Sequence, residues 1–157
     1  MKKLVGLLLL VGIGFSANAA PAVVKGKAAY AESKKGDDVK GIQFFKGTWE
    51  EALKAAETEK KLIFLDAYAS WCGPCKLMAR NTFTNEKVGD FFNANFINVK
   101  MDMEKTEDGK RLSRKYRLSA YPTLYFVNNE EKVVYESRGY QKPNQLIGVG
   151  ERALMVK

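Results

Sequence analysis

Leu62-Ile63-Phe64-Leu65-Asp66-Ala67-Tyr68 is an apolar run broken by a single carboxylate, and three residues separate its end from a Cys-x-x-Cys pair, Cys72 and Cys75. A strand that is apolar at both odd and even positions has no face to offer water, so it must lie inside a sheet with another layer on each side. The run therefore reads as a central strand buried on both faces. With 157 residues, 46% of them hydrophobic, the chain can build one such core and has little left for a second.

The first nineteen residues stand apart from that core. Lys2 and Lys3 precede an apolar stretch from Leu4 to Phe15, and Ala17-Asn18-Ala19 has the small-x-small form of a cleavage site, so residues 1–19 read as a secretory signal peptide. The stretch is short for a membrane span and is weakened by Gly6, Gly12 and Gly14, so no stable membrane insertion is expected after cleavage; an uncleaved anchor is the alternative. Residues 20–41, rich in Ala, Lys, Gly, Asp and Ser, read as a flexible leader, and 42–157 as the folded domain. Export would put the domain in an oxidising compartment, and the lack of a larger disulfide framework points to a bacterial periplasm.

Within the domain, Gly41-Ile42-Gln43-Phe44-Phe45 predicts a short edge strand, and Thr48 with Glu51 forms a capping box for a helix carrying Trp49, Leu53 and Ala56. The central strand at 62–68 leads to a helix from Gly73 to about Arg80, and a second helical segment follows from Thr84-Asn85-Glu86 with Val88, Phe91 and Phe92. Further strands are predicted at 96–101, 123–127 and 132–136, the last two joined through Asn128-Asn129-Glu130-Glu131 as a hairpin. A polar helix spans Asp108 to Tyr116. Pro143 opens the last helix, whose apolar face is Leu146, Ile147, Val149, Leu154 and Met155. The pattern gives βαβ units followed by an antiparallel hairpin, hence a mixed sheet with helices on both faces.

Two thiols separated by two residues at the start of a helix can close a disulfide and reopen it. Half a zinc site is a poor alternative, because the chain holds no further cysteine and no histidine; haem attachment fails because Lys76 stands where a histidine is required. An inert structural disulfide remains open. Cys72 precedes the helix, where unpaired N–H groups and the helix dipole favour a thiolate, so it is the expected attacking thiol, with a pKa below the usual ~8.5. Cys75, one turn further in, is expected to be more buried and to resolve the mixed disulfide. Asp66, inside so apolar a run, should have its pKa raised by desolvation, unless it lies at an exposed strand end.

The formal charge is +8, or +6 once Lys2 and Lys3 are lost. The lysines are spread without the aromatic interleaving of a nucleic-acid groove, so no nucleic-acid partner is expected.

Asp66 through Lys76, the isolated Tyr121-Pro122-Thr123 before the hairpin, and Gly139 after it together resemble the thioredoxin family from about Ile42 onward. Thr82-Phe83-Thr84-Asn85-Glu86-Lys87-Val88 looks most like the C-terminal periplasmic domain of the bacterial transmembrane thiol:disulfide interchange protein and related small exported proteins. The resemblance implies a thioredoxin-like fold and assigns Asp66 as the buried carboxylate that takes the proton of Cys75 through water. It places Lys100 beside that carboxylate, though a lysine ending a strand can equally be merely exposed. Most X-Pro bonds are trans, but the resemblance makes Tyr121-Pro122 cis, packs Pro122 against the dithiol and leaves the Tyr121 backbone free to pair with a substrate strand. An aromatic at 121 departs from the family's aliphatic or Thr residue. Gly73 and Pro74 shape the turn between the cysteines. Trp71 and Gly139 would flank the groove, unless Trp71 is core and Gly139 only a turn.

Gly-Pro between the cysteines resembles reducing members. The expected activity is therefore an exported protein-disulfide reductase acting on disulfide-containing exported proteins. No nucleotide or flavin motif is present, so no cofactor is expected and electrons would come from a membrane or periplasmic dithiol donor. An oxidase or isomerase, or a non-enzymatic client-binding module, are the alternatives.

Overall fold

The computed structural model describes residues 40–156; the expected signal peptide and nearly all of the leader lie outside the described residues. In chain order the elements are α1 (Trp49–Glu59), β1 (Leu62–Tyr68), α2 (Gly73–Asn81), α3 (Glu86–Asn95), β2 (Phe96–Asp102), α4 (Glu107–Lys115), β3 (Thr123–Val127), β4 (Val133–Arg138) and α5 (Pro143–Met155).

The four strands form one mixed sheet in the order β2-β1-β3-β4. β1 pairs in parallel with β2 and antiparallel with β3, and β3 and β4 form the expected hairpin. The central strand thus has a neighbour on each side, as its sequence requires. Its alternation divides the core. Ile63, Leu65 and Ala67 pack with Trp49, Ala52 and Ala56 of α1 and Leu112 of α4 on one face. Leu62 and Phe64 pack with Met78, Val88, Phe92, Leu146 and Val149 of α2, α3 and α5 on the other. Phe64 and Phe92 meet edge to face, ring centroids 4.7 Å apart, and both are fully buried; each such ring stabilises the fold by about 1.5–3 kcal/mol.

Local sequence sets the helix ends. Thr48 Oγ1 accepts from the Glu51 N–H (3.2 Å) while the Thr48 N–H donates to Glu51 Oε2 (2.8 Å), the capping box read from the sequence. Lys60 then leaves α1 in the left-handed conformation, φ 54°. Pro143 opens α5, and Leu146 and Val149 are buried, but Met155 is 82% exposed and does not join the apolar face because the helix ends there.

The expected first strand is not a strand. Residues 41–46 run extended beside β2, and Phe45 donates to the Asn98 carbonyl (2.7 Å). No ladder follows, because side-chain amides take the neighbouring groups: the Gln43 N–H donates to Asn93 Oδ1 (2.9 Å) and Asn98 Nδ2 to the Gln43 carbonyl (3.4 Å). The element order therefore begins with α1. Among the described residues no helix is long and apolar enough to cross a membrane.

Candidate active site

β1 ends at Tyr68, and the chain turns through Ala69, Ser70 and Trp71 into α2, with the Cys72 N–H donating to the Ala69 carbonyl (3.0 Å). Cys72 is the N-cap of α2, and its Sγ accepts from the Cys75 N–H at 3.1 Å. In place of the usual oxygen cap, a sulfur satisfies an otherwise free helix donor, which favours a thiolate there once the pair is reduced. Cys72 and Cys75 form a disulfide with Cα atoms 5.3 Å apart. Pro74 lies in the first turn of α2, where its missing N–H costs nothing. Gly73 is exposed, and a Cβ there would meet no atom within 4 Å; the turn does not require glycine, and its smallness leaves the approach to Cys72 open.

The expected difference in burial between the two thiols is absent, with Cys72 2% and Cys75 3% exposed. The reason lies outside the helix: Tyr68 and Tyr121 pack against the cluster of Ala69, Cys72 and Cys75. Tyr121 is brought there by the Tyr121-Pro122 bond, which is cis, with Pro122 buried. The Pro122 carbonyl accepts from the Gly139 N–H (2.8 Å), so Gly139, at φ 84°, closes this side of the site as well as making a turn.

Asp66 is fully buried, which disposes of the exposed-end alternative. In the parallel ladder it is the partner of Lys100, whose Nζ lies 2.5 Å from Asp66 Oδ2. Burial pushes the Asp66 carboxyl above its ordinary value; the charge of Lys100 and its hydrogen bond pull the other way and do not overcome it. Lys100 also sits over three rings, 4.3 Å from the centroid of Tyr68, 5.2 Å from Phe83 and 5.7 Å from Phe44. Tyr68 thereby links the Asp66–Lys100 pair to the dithiol cluster.

Trp71 is 66% exposed and so is not core. Its ring meets Tyr121 edge to face, centroids 5.6 Å apart at 87°, and its Nε1 donates to Glu104 Oε2 (2.9 Å). Burial, with the Glu104 carboxylate beside it, pushes the Tyr121 phenol up to about 12. Tyr68 is raised chiefly by burial and then by the charges of Asp102 and Asp66. Asp102 and Glu104 were not foreseen from the sequence. A signal was available: in a parallel pair the strand ends lie together, so residues that close β2 must sit beside those that close β1, and Tyr68 and Asp102 are in register.

The thioredoxin-like family model matches residues 45–129, which contain the dithiol, Asp66, Lys100 and the cis proline. The chain belongs to the thioredoxin-like family. Thioredoxin Y, a chloroplastic protein of Oryza sativa subsp. japonica, is 33% identical over 142 residues, covering 88% of this chain and 79% of that protein. Among solved structures, a candidate disulphide isomerase from Bacteroides thetaiotaomicron is 41% identical with a TM-score of 0.66, covering 77% of this chain and 99% of that one. The oxidised C-terminal domain of Neisseria meningitidis DsbD is 25% identical with a TM-score of 0.57, covering 71% and 99%. A thioredoxin-like fold carrying a Cys-x-x-Cys pair at a helix N-terminus supports thiol–disulfide oxidoreductase activity.

Proposed function

We propose that the protein is an exported protein-disulfide reductase. The observation that carries the direction of electron flow is the sign of the charge around the dithiol. Asp66, Asp102 and Glu104 all act on the two tyrosines that pack against the disulfide, and the nearby ammonium of Lys100 is engaged by Asp66. Carboxylates there counter part of the stabilisation that the α2 N-terminus gives a Cys72 thiolate, which disfavours the reduced state relative to the disulfide and supports reading the dithiol as a donor of electrons.

In the reaction, the Cys72 thiolate attacks a substrate disulfide; a Cys72–substrate S–S bond forms, the substrate S–S bond breaks, and the departing thiolate takes a proton. Asp66 accepts the proton of Cys75, whose thiolate attacks Cys72 Sγ and releases the second substrate thiol. The substrate disulfide is reduced and the protein's dithiol is oxidised. A dithiol on a membrane or periplasmic partner restores it, with no cofactor. A periplasmic location rests on the pattern of residues 1–19 and on the likeness to the DsbD C-terminal domain. The leader of residues 20–41 would then hold the domain of residues 42–157 clear of its exit site.

A reduction potential of about −270 mV, as reductases have, together with loss of insulin reduction in Cys72→Ser, is the expected result. A potential like that of strong oxidants, about −120 mV, reverses the direction. The likeness to a candidate disulphide isomerase favours isomerisation as the second reading, and reactivation of a scrambled substrate without added reductant would select it. Should Cys72→Ser keep its client binding while the wild type reduces nothing, the domain is a binding module.

A further inference from the structure

We propose that Tyr121 is a movable cover over the Cys72–Cys75 dithiol, held shut by Glu104 and Trp71 together, and that it reserves the site for disulfides carried on extended polypeptide strands. The inference rests on the dithiol-exchange reading above. Exchange requires a sulfur nucleophile to reach Sγ along the S–S axis, yet the two cysteines are 2% and 3% exposed. Trp71, the adjacent residue, is 66% exposed. The dithiol is therefore at the surface and hidden by a local cover.

Two rings do the hiding, Tyr68 and Tyr121. Tyr68 is fixed, being paired with Asp102 in the β1–β2 ladder and lying under the Lys100 ammonium. Tyr121 lies in the bend between α4 and β3, and no backbone hydrogen bond among the described residues engages it. Tyr121 is the ring that can move.

Its side chain is tied instead. Trp71 meets it edge to face, the Trp71 indole N–H donates to Glu104 Oε2 at 2.9 Å, and the same Glu104 carboxylate accepts directly from the Tyr121 hydroxyl. Glu104 is set rigidly at the end of β2: its own N–H and that of Lys105 donate to Asp102 Oδ1 (3.0 and 3.1 Å), and the Met103 N–H donates to the Tyr68 carbonyl (2.9 Å). Lifting the cover forfeits ring contacts. An extended strand compensates by pairing with the free N–H and carbonyl of Tyr121, whereas a small disulfide has no strand to offer. Glu104 is thus a positioning residue, and Tyr121 sets specificity.

The test uses the full chain. Alkylation of the reduced protein by neutral iodoacetamide, followed across pH, separates access to Cys72 from its thiolate fraction; exchange with hydroxyethyl disulfide is compared with reduction of insulin. Tyr121→Ala and Glu104→Ala should raise the high-pH alkylation plateau and the small-disulfide rate roughly tenfold, the population shift of losing one tie, without a matching gain on insulin. Glu104→Gln, whose amide oxygen still accepts from Trp71, should return to the wild-type rates. Unchanged plateaus, equal gains on both substrates, or a Glu104→Gln that behaves like Glu104→Ala overturn the cover. If Tyr121→Ala fails to fold, the two variants at exposed Glu104 decide alone. Wild-type activity on insulin with unchanged plateaus sinks only the cover; no exchange with either substrate sinks the dithiol reading itself.

Discussion

Asp66 and Lys100 are ladder partners on adjacent parallel strands, and their side chains meet on the same face of the sheet, Lys100 Nζ 2.5 Å from Asp66 Oδ2. Asp66 Oδ1 is buried with no hydrogen-bond partner among the described residues. Burial raises the carboxyl pKa and the ammonium restrains the rise. A carboxylate so balanced can take a proton and give it back, as a general base for Cys75 must.

The balance has a stability consequence. Because the folded pKa of Asp66 lies above its ordinary 3.8, the native state holds the proton more tightly than the unfolded chain, and stability falls as pH rises through the folded pKa. Asp66→Asn removes the buried charge. It should be more stable than the wild type at pH 7 by about 1–3 kcal/mol, and the two should converge below about pH 4. Denaturant unfolding at both pH values checks this. The same variant should slow release of substrate from the Cys72 mixed disulfide by roughly a hundredfold if Asp66 is the base.

Lys100→Met tests the other partner. Both influences that lower the Asp66 pKa come from Lys100, so their loss should move Asp66 ionisation further up. The pH at which mixed-disulfide resolution is half-maximal should shift to the alkaline side. At a fixed pH below the new pKa, the rate should fall about tenfold for each pH unit the profile moves. Stopped-flow resolution across pH, with a carboxyl NMR titration of Asp66, reads both; an unmoved profile would separate Lys100 from the chemistry.

A second, half-buried anion has the opposite sign. Glu131, in the left-handed conformation (φ 56°) on the β3–β4 hairpin, accepts from Arg111 Nη1 and Nη2 (2.9 and 2.8 Å), from Lys115 Nζ (2.6 Å) and from Trp49 Nε1. It pins the hairpin to α1 and α4. The Arg111 hydrogen bond leads in drawing its pKa down to about 2, with burial opposing. The stabilisation is complete above the ordinary 4.5 and is lost as pH falls through about 2. Glu131→Gln should cost about 1–3 kcal/mol at pH 7, discounted for solvent screening because the Arg111 and Lys115 side chains are 44% and 43% exposed. The deficit should vanish near pH 2 in paired unfolding curves.

Features set by local pattern are legible in the sequence. Leu62–Tyr68 reads as a doubly covered strand because apolar residues of both parities leave no other solution, and Thr48 with Glu51 marks a helix start through its own hydrogen bonds. The dithiol is legible from spacing alone. Glu104 is not, being an exposed acid that meets the Trp71 indole, 33 residues away, only once the chain is folded. The burial of Cys72 depends in the same way on Tyr121, which a cis bond delivers from across the sheet. The segment at 42–45 reads as a strand by composition, but the amides of Asn93 and Asn98 take its polar groups, and such competition appears only once the chain is folded.

That segment carries Phe44 to the Lys100 ammonium, and Gly89 of α3 makes the approach possible. A Cβ at Gly89 would lie 2.4 Å from the Gly41 carbonyl carbon and oxygen, so the backbone itself would have to move. Gly41 cannot yield without strain, since it is at φ 93° and a Cβ of its own would strike the Phe83 carbonyl at 2.2 Å. Gly89→Ala should therefore detach residues 41–45 while leaving the sheet paired, at a cost of about 1–3 kcal/mol. Hydrogen exchange reads the detachment directly. The Ile42 and Phe45 amides, which donate to the Phe83 and Asn98 carbonyls, should lose protection, while those of β1 keep theirs. With Phe44 gone, one of the three rings around Lys100 is lost, and mixed-disulfide resolution should shift to the alkaline side in the direction of Lys100→Met but less far. Lost protection with an unmoved pH profile would show that the strap serves the fold alone.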